Sequence, residues 1–225
     1  MPDARGRTRR GKARGDGTAI SLVGPSGRRA AVATAGAGIL ALSWLALGER
    51  HDVVPAWEAD VFEAINGLPD WLRWPLWVPM QLGSVWVALG GAAIVYAVTR
   101  RVRPALVTAA AVLLAWAAAK GIKGLVERGR PGELLGGVEV RQSGLQDAGY
   151  VSGHTAVAFA LATAVAPLVP RGWRWVPFAL AAVVGLSRIY FGAHLPLDVI
   201  GGAGLGLVCG VVAWAVGGMI PIRQP

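Results

Sequence analysis

Cysteine and charged residues are both scarce in this chain of 225 residues. Cys209 is the only cysteine and lies in an apolar run, which excludes a disulfide-stabilised fold. Lys, Arg, Asp and Glu make up 16% of the chain, against roughly 25% in an ordinary soluble domain. The apolar set AVILMFWYC accounts for 54%, and the mean hydropathy is +0.51. Because so few charged residues cannot cover the surface of a water-soluble globule, the composition favours a membrane protein. The high apolar content excludes disorder for most of the chain.

Acidic residues are rare near the N-terminus, where residues 1–29 carry eight Lys or Arg against two Asp. The remainder of the chain carries fourteen basic and eleven acidic residues. The net charge of +9 is therefore concentrated in one segment, unlike the charge of a nucleic-acid-binding domain. We divide the chain into a basic, disordered cytoplasmic tail at 1–29 and a membrane domain at 30–220. The tail is expected to contact anionic lipid, or to serve only as a topology signal.

Six apolar stretches approach the roughly 20 residues that a helix needs to cross a bilayer. They lie at 30–48, 76–99, 104–126, 152–169, 174–191 and 195–220. Their apolar residues run nearly all round each predicted helix, and their many Ala and Gly residues favour close helix packing in lipid. We therefore predict an all-α, polytopic membrane protein with six transmembrane helices. The stretch 57–77, rich in Trp and Pro, is predicted to lie at the membrane interface.

The distribution of charge predicts the orientation of these six spans. Fourteen basic residues fall in the two termini and the even-numbered connections, whereas the eleven acids beyond the tail fall on the odd-numbered side. Because cytoplasmic loops are enriched in Lys and Arg, we expect both termini to be cytoplasmic and the acidic connections to be outside. A retained first helix is preferred to a cleaved signal peptide, since the basic region is long and no clear cleavage site follows.

Three polar clusters lie at the ends of predicted spans 3 to 6, all on the outer face. Each alone has a structural explanation: basic side chains snorkelling at a helix end, an N-cap at Ser152, or a polar pair of His194 and Asp198. Together they bring more ionisable groups beside the membrane than structure requires, which indicates function. The clusters comprise Lys120, Lys123, Glu127, Arg128, Arg130 and Pro131, then residues 150–155, then Ser187, Arg188, Tyr190, His194 and Asp198.

The basic members of these clusters indicate a phosphate site. Lys123, Arg130 and Arg188 supply three positive charges without a matching carboxylate cluster, and guanidinium groups pair well with phosphate oxygens. The predicted helix start at Ser152 and Gly153 adds backbone N–H groups, and a helix N-terminus attracts anions. Gly153 also lets the backbone approach a ligand closely.

Two of the three histidines, His154 and His194, belong to the same clusters. A pair of imidazoles suits in-line displacement at phosphorus, in which one attacks and the other protonates the leaving oxygen. Asp198 would orient the attacking imidazole and stabilise its positive charge. Because three cations offset the charge of the transition state, we expect no metal and no cofactor. A metal site is the weaker alternative, since these cations would repel a divalent ion.

The three clusters resemble the motifs of the phosphatidic acid phosphatase type 2 superfamily, which includes bacterial undecaprenyl pyrophosphate phosphatases. The first family motif is Lys, six residues and Arg-Pro; the second is Pro-Ser-Gly-His; the third is Ser-Arg, five residues, His, three residues and Asp. This chain matches them with Lys123 and Arg130-Pro131, with Ser152-Gly153-His154 after Val151 in place of proline, and with Ser187-Arg188, His194 and Asp198.

The resemblance implies a role for each matching residue. His194 would be the nucleophile that forms a phosphohistidine, with Asp198 orienting it. His154 would be the general acid for the leaving group and then the base for water. The remaining matches would bind phosphate, namely Lys123, Arg130, Arg188, Ser152 and Gly153. Val151 leaves these roles intact, because the proline it replaces carries no reactive group.

From these observations we predict a metal-independent lipid phosphatase in a bacterial plasma membrane, with its site at the extracytoplasmic end of helices 3–6. Its partners would be the bilayer and a membrane lipid phosphate, and not nucleic acid. Polyprenyl pyrophosphate is the first choice of substrate, with phosphatidylglycerol phosphate, phosphatidic acid and prenyl-phospho-sugar phosphates as alternatives. A lipid phosphotransferase and a non-enzymatic anion or lipid transporter remain open as other functions.

Overall fold

The structure is a computed structural model that describes residues 25–48, 52–144 and 147–219. Every regular element within these ranges is helical, and they contain no strand. The α-helices are α1 (Pro25–Leu47), α2 (Ala56–Asn66), α3 (Arg73–Met80), α4 (Val85–Thr99), α5 (Val102–Lys123), α6 (Pro131–Leu134), α7 (Gly153–Val165), α8 (Val176–Tyr190) and α9 (Pro196–Met219). Single 3₁₀ turns lie at Asp70–Leu72, Gln81–Gly83, Ala166–Leu168 and Arg171–Trp173. The predicted all-α class is confirmed.

Three helices in the described part of the chain are long and apolar enough to cross a membrane. They contain the spans Gly27–Leu47, Val102–Lys123 and Pro196–Gly218. A fourth span is present if the bent pair Asp70–Gly83 and Val85–Thr99 crosses the membrane as one unit. Helices α7 and α8 contain 13 and 15 residues, which is short of the length that crosses a bilayer unaided. The structure therefore supports a membrane protein with three or four full-length spans, and the six-span count stays a prediction.

The predicted continuous helix over 76–99 is wrong, because the chain bends by 68° between its two halves. The bend follows the 3₁₀ turn at Gln81–Gly83, after which Ser84 is extended (ψ 131°). Gly83 lies against the start of α7, and a Cβ there would come within 2.7 Å of the His154 carbonyl oxygen. The close approach of these two backbones places the turn beside the polar end of α7.

The N-terminal helix α1 begins at Pro25, five residues earlier than the sequence predicts, so Arg28 and Arg29 are helical. The first 24 residues of the predicted tail lie outside the described residues.

Helix α9 occupies the centre of the bundle and packs against α1, α5 and α7. Glycines make this packing close. A Cβ on Gly206 would lie 2.4 Å from the Ala156 carbonyl oxygen, and one on Gly204 would lie 2.6 Å from that of Gly36. Lipid chains are as apolar as the helix surfaces, so the hydrophobic effect does not drive helices together in a membrane. Close van der Waals contact of this kind supplies the packing energy instead.

Large apolar side chains face outward on several helices. Trp86 of α4 is 79% exposed and Val98 is 77% exposed, while Trp74 of α3 is 71% exposed. An exterior of this kind suits contact with lipid, and tryptophan at helix ends is typical of the membrane interface.

The order of the helices brings the three polar clusters to one end of the bundle. Helix α5 ends at Lys123, α7 begins at Gly153, α8 ends at Tyr190 and α9 begins at Pro196. Since α5 and α8 run towards this end and α7 and α9 run away from it, the clusters meet there.

Candidate active site

One cavity of about 290 Å³ lies where the three clusters meet. Six of the eight predicted site residues line it: Lys123, Arg130, Gly153, His154, Arg188 and His194. The two others, Ser152 and Asp198, are fully buried beside it. Residues more than 60 positions apart therefore share one small space, as the motifs predict.

Three cations border this cavity, each with its side chain largely shielded from solvent. Lys123 comes from the last residue of α5, Arg130 from the turn before α6, and Arg188 from the last turn of α8. The Arg188 guanidinium donates from Nη1 to the Gln142 side-chain oxygen and contacts the Met80 sulfur at 3.4 Å. Its Nε is buried, and no residue that the structure describes provides it with a hydrogen-bond partner. Because an unpaired buried donor is costly, a bound anion would stabilise this arrangement.

His194 lies on the short connection between α8 and α9 and is only 2% exposed. Its Nδ1 faces Oδ2 of Asp198 at 3.5 Å without a hydrogen bond to any described residue, so Nε2 is the ring nitrogen farther from Asp198. Burial is the main reason that the pKa of His194 is well below its ordinary value, and the positive charges of Arg188 and Lys123 lower it further. The imidazole is therefore neutral at pH 7, as a nucleophile must be.

Asp198 is held from behind by an ion pair that the sequence analysis did not identify. Arg128 donates from Nη1 to Asp198 Oδ1 at 2.8 Å and from Nη2 to Glu58 Oε2 at 2.6 Å. All three side chains are fully buried. Burial lowers the pKa of Arg128, but Asp198 and Glu58 outweigh it, and the net shift is upward. No spacing in the sequence links Glu58 to residues 70 and 140 positions away, so only the fold could reveal this contact.

A further carboxylate, that of Asp147, lies at the mouth of the cavity. It contacts Arg130, and its Oδ2 is 3.3 Å from Lys123 Nζ. Lys123 also donates to the Ala148 carbonyl oxygen. Burial acts to raise the pKa of Asp147, but Lys123 and Arg130 outweigh it and hold this pKa below its ordinary value. Asp147 is thus ionised at neutral pH and paired with two of the cations that are expected to bind phosphate. No motif in the sequence marks this residue.

The second motif forms the first turn of α7. Gly153 is its first helical residue, and a Cβ there would meet only Ala119, at 3.9 Å. The Ser152 hydroxyl accepts a hydrogen bond from Thr155 Oγ1 at 2.9 Å, and the Ser152 N–H donates to the Asp198 carbonyl oxygen at 2.9 Å. Ser152 therefore ties α7 to α9. It is not among the residues that line the cavity, and its contact with phosphate stays a prediction. Val151, which replaces the family proline, is fully buried.

His154 lies between two spaces. It lines the cationic cavity and also a wider, more open depression bordered by α3 and residues 139–143. Within the described residues, no group of three or more His, Cys, Asp or Glu side chains is arranged to hold a metal ion.

Replacement of Asp147 by Asn should strengthen the binding of inorganic phosphate to the full-length chain in detergent. The neutral amide would no longer compete for Lys123 and Arg130. The gain should be roughly twofold to fivefold, because a carboxylate that is 58% exposed contributes only about 0.2–1 kcal/mol to its ion pairs. Isothermal titration calorimetry measures the dissociation constant.

The control is Asp70→Asn, which removes a carboxylate paired with Arg141 outside the cavity and should leave phosphate affinity unchanged. A group with a lowered pKa keeps its charge until the pH falls through that pKa. The ratio of the phosphate dissociation constants of the parent and Asp147→Asn should therefore be constant from about pH 5 to 8. Equal affinities of the two proteins would contradict competition by Asp147.

Comparisons of sequence place this chain among known proteins. A family model described as the PAP2 superfamily matches residues 102–220, which include all three motifs. The decaprenylphosphoryl-5-phosphoribose phosphatase of Mycobacterium tuberculosis is 36% identical over 138 residues, or 61% of this chain and 73% of that protein. The bacitracin transport permease protein BcrC of Bacillus licheniformis is 36% identical over 80 residues, or 35% of this chain and 38% of that protein.

Comparisons of structure agree. LpxE of Aquifex aeolicus superimposes with a TM-score of 0.65 and 28% identity, covering 72% of this chain and 99% of LpxE. A PAP2 type phosphatidylglycerolphosphate phosphatase from Bacillus subtilis gives a TM-score of 0.58 over 87% of this chain and 98% of its own, and at 19% identity it supports the fold alone. The resemblance drawn from the motifs is thus confirmed, and this membrane protein belongs to the PAP2 superfamily.

Proposed function

We propose that this chain is a membrane lipid phosphatase that works through a phosphohistidine on His194. The observation that carries the proposal is the meeting of three cations and two imidazoles in one cavity, at the positions of the family motifs. The similarity to a decaprenylphosphoryl-5-phosphoribose phosphatase supports the same class of reaction.

In the first step the terminal phosphate enters the cavity and binds Lys123, Arg130 and Arg188. The Gly153 N–H at the start of α7 adds a donor at the positive end of the helix dipole. Nε2 of His194 attacks phosphorus, and the bond to the leaving oxygen breaks as His154 donates a proton to it. Asp198 keeps the proton on Nδ1 of His194 and stabilises the imidazolium that forms.

In the second step a water molecule attacks the phosphohistidine. His154, now deprotonated, accepts a proton from this water, and His194 leaves as the neutral imidazole. The three cations stay in contact with the phosphoryl oxygens throughout, so they stabilise the charge of both transition states. On this account the reaction needs no metal ion, since Lys and Arg supply the positive charge that Mg²⁺ supplies in other phosphoryl transfers.

The walls of the cavity fit a lipid substrate. Beside the charged residues it is bordered by Val85 of α4, Trp116 of α5 and Val157 of α7, and Trp116 is 39% exposed on the outer surface of the bundle. An apolar tail can lie along this side while the phosphate reaches the cations. We favour a polyprenyl pyrophosphate as substrate, with a prenyl-phospho-sugar phosphate, phosphatidylglycerol phosphate and phosphatidic acid as the other members of the class.

The proposal also includes six membrane crossings with the cavity on the outer face. Helix α5 contains 22 residues and is therefore about 33 Å long. The basic connections at 100–103 and 171–174 lie at the ends of α5 and α8 opposite the cavity, and basic loops are typically cytoplasmic. The shorter helices α7 and α8 would cross with support from α5 and α9.

The hydrolysis proposal predicts that purified protein in EDTA releases phosphate from at least one lipid phosphate in a panel. The panel contains farnesyl pyrophosphate, dioctanoyl phosphatidic acid, phosphatidylglycerol phosphate and a prenyl-phospho-sugar phosphate. His194→Ala should lower kcat by about a thousandfold or more, because the nucleophile is lost, and should still bind inorganic phosphate through the cations.

The other outcomes separate the alternative functions. Turnover that is lost in EDTA would contradict the metal-free reaction. Loss of the lipid phosphate only after an alcohol acceptor is added, with the phosphoryl group recovered on that acceptor and not as free phosphate, would favour a phosphotransferase. A His194→Ala variant that keeps full phosphate release would contradict covalent catalysis by His194. A parent protein that binds the lipid phosphates but releases no phosphate from any of them would favour a transporter.

The topology proposal predicts that a cysteine introduced at Glu139 is labelled by a membrane-impermeant maleimide added outside intact cells. Glu139 lies on the connection between α6 and α7, at the cavity end of the bundle. A cysteine at Arg101, between α4 and α5, is the matched control and should be labelled only after the cells are opened. Protection of position 139 in intact cells would contradict the orientation.

A further inference from the structure

Arg128 forms the middle of a buried chain of charges that starts on α2 and ends at His194. It contacts Asp198 at 2.8 Å on one side and Glu58 at 2.6 Å on the other. Glu58 Oε1 also accepts the Leu197 N–H at 2.8 Å. The three charged side chains have no exposed surface.

Stability alone is a poor explanation for this cluster. Removal of three charged groups from water is costly, and apolar residues of similar size often replace buried ion pairs without loss of stability. The cluster also does not form part of the cavity wall, since neither Glu58 nor Arg128 lines it. Its one link to the cavity is the carboxylate of Asp198.

The two oxygens of Asp198 have different partners. Oδ1 accepts from Arg128 at 2.8 Å, whereas Oδ2 accepts the Leu195 N–H at 2.9 Å and faces Nδ1 of His194 at 3.5 Å. Because the two oxygens are rigidly connected, fixing Oδ1 also sets the direction in which Oδ2 points. Glu58 fixes the same region a second time, since its bond to the Leu197 N–H holds the first turn of α9 against α2.

The net charge of the cluster also favours a positive charge on His194. Arg128 alone would neutralise Asp198, but Glu58 restores one net negative charge behind the imidazole. On its other sides His194 faces mainly positive groups. The charged and titratable groups contributed by the surrounding elements are Lys123 from α5, Arg130 before α6, Asp147 after α6, His154 from α7 and Arg188 from α8.

We propose that Glu58 and Arg128 are positioning residues for the phosphorylation of His194. In that step the bond from Nε2 to phosphorus forms, the bond to the leaving oxygen breaks, and the proton of His154 moves to this oxygen. The His194 ring keeps its Nδ1 proton and becomes positively charged. Asp198 stabilises this charge, and Glu58 and Arg128 hold Asp198 in place while keeping the cluster negative. This inference rests on the proposed function.

The test is the pH dependence of kcat/KM for the full chain in detergent, with the lipid of the four-lipid panel that the parent protein hydrolyses fastest as substrate. Its acid limb reports the protonation of the nucleophile in the free enzyme. Glu58→Gln removes the net negative charge, so the neutral imidazole should persist to lower pH. The acid limb should move down by roughly half a unit to one unit. The kcat on the plateau should fall by about tenfold or more, as when an orienting partner behind a histidine is lost, with KM nearly unchanged.

The matched control is Glu63→Gln, the same chemical change on an exposed residue five positions later in α2. It should leave both the acid limb and kcat unchanged. The double variant Glu58→Gln/Arg128→Gln leaves Asp198 as the single charge of the cluster, so its acid limb should return to the position in the parent. Its kcat should stay low, because Oδ1 has lost its ionic partner.

Several outcomes would overturn the proposal. An acid limb that is unshifted in Glu58→Gln would reduce the cluster to a structural role, and so would a limb that is shifted equally in the double variant. If Glu58→Gln does not fold, the double variant is used in its place, because it removes both Glu58 and its ionic partner Arg128 and so leaves no unpaired buried cation. Its kcat then tests the proposal. Full kcat in the folded double variant would overturn the proposal, whereas a low kcat with unchanged KM and thermal midpoint would support it.

The parent protein separates this inference from the proposed function. A parent that releases no phosphate from any lipid of the panel contradicts the proposed function itself. A parent that hydrolyses the lipid while its variants behave like Glu63→Gln contradicts only the inference about Glu58 and Arg128.

Discussion

Three positively charged side chains are concentrated at one end of an apolar helix bundle, where water screens them little. Lys123, Arg130 and Arg188 lie close together with their side chains at most about one-tenth exposed. Like charges repel at such distances, and burial strengthens the repulsion. Such an arrangement is stable only if anionic groups are supplied, either from the protein or from a ligand. At this end of the bundle the fold therefore has to supply carboxylates or leave room for an anionic ligand.

The protein supplies carboxylates in two places with different consequences. Asp147 lies at the mouth of the cavity and directly contacts Lys123 and Arg130, so a phosphate that binds these two cations would have to displace it. Asp198 lies behind His194 and does not touch the three cations; it is paired with Arg128, which in turn is paired with Glu58. On the proposed mechanism, Asp147 would therefore occupy the phosphate site until a ligand arrives, whereas Asp198 would remain available to the imidazole throughout the reaction.

The extent to which sequence predicted this structure depends on the range of each interaction. The motifs found Lys123, Arg130, His154 and His194 because the family relationship fixes their spacing, and the apolar composition predicted an all-helical membrane protein. The bend before α4 was missed, since hydropathy over 76–99 does not reveal that Gly83 touches the backbone of α7. The ion pair of Glu58 was missed for a related reason. It joins α2 to residues 70 and 140 positions later, and no local pattern records such a contact.

The partners of Ser152 show which part of a motif residue's surroundings the sequence does not record. Its position at the start of α7 is as the sequence predicts, but its hydroxyl is bonded to Thr155 and its N–H to α9. A motif fixes where a residue lies on the backbone, whereas the direction of its side chain depends on which polar neighbours the fold provides. Asp147 belongs to no motif, and its position at the cavity is set by ion pairs with two cations, Lys123 and Arg130, that lie 24 and 17 residues before it in the sequence.

On the proposed function, three distant segments form one cationic site in which His194 is the attacking group. A crystal structure of the protein with orthovanadate would reveal the attacking group, because vanadate adopts the geometry of the phosphoryl group in transit. We expect vanadium to be bonded to Nε2 of His194, with its oxygens in contact with Lys123, Arg130 and Arg188 and with Asp147 displaced. Vanadate bound elsewhere, or held by the cations with His194 turned away, would show that His194 is not the attacking group.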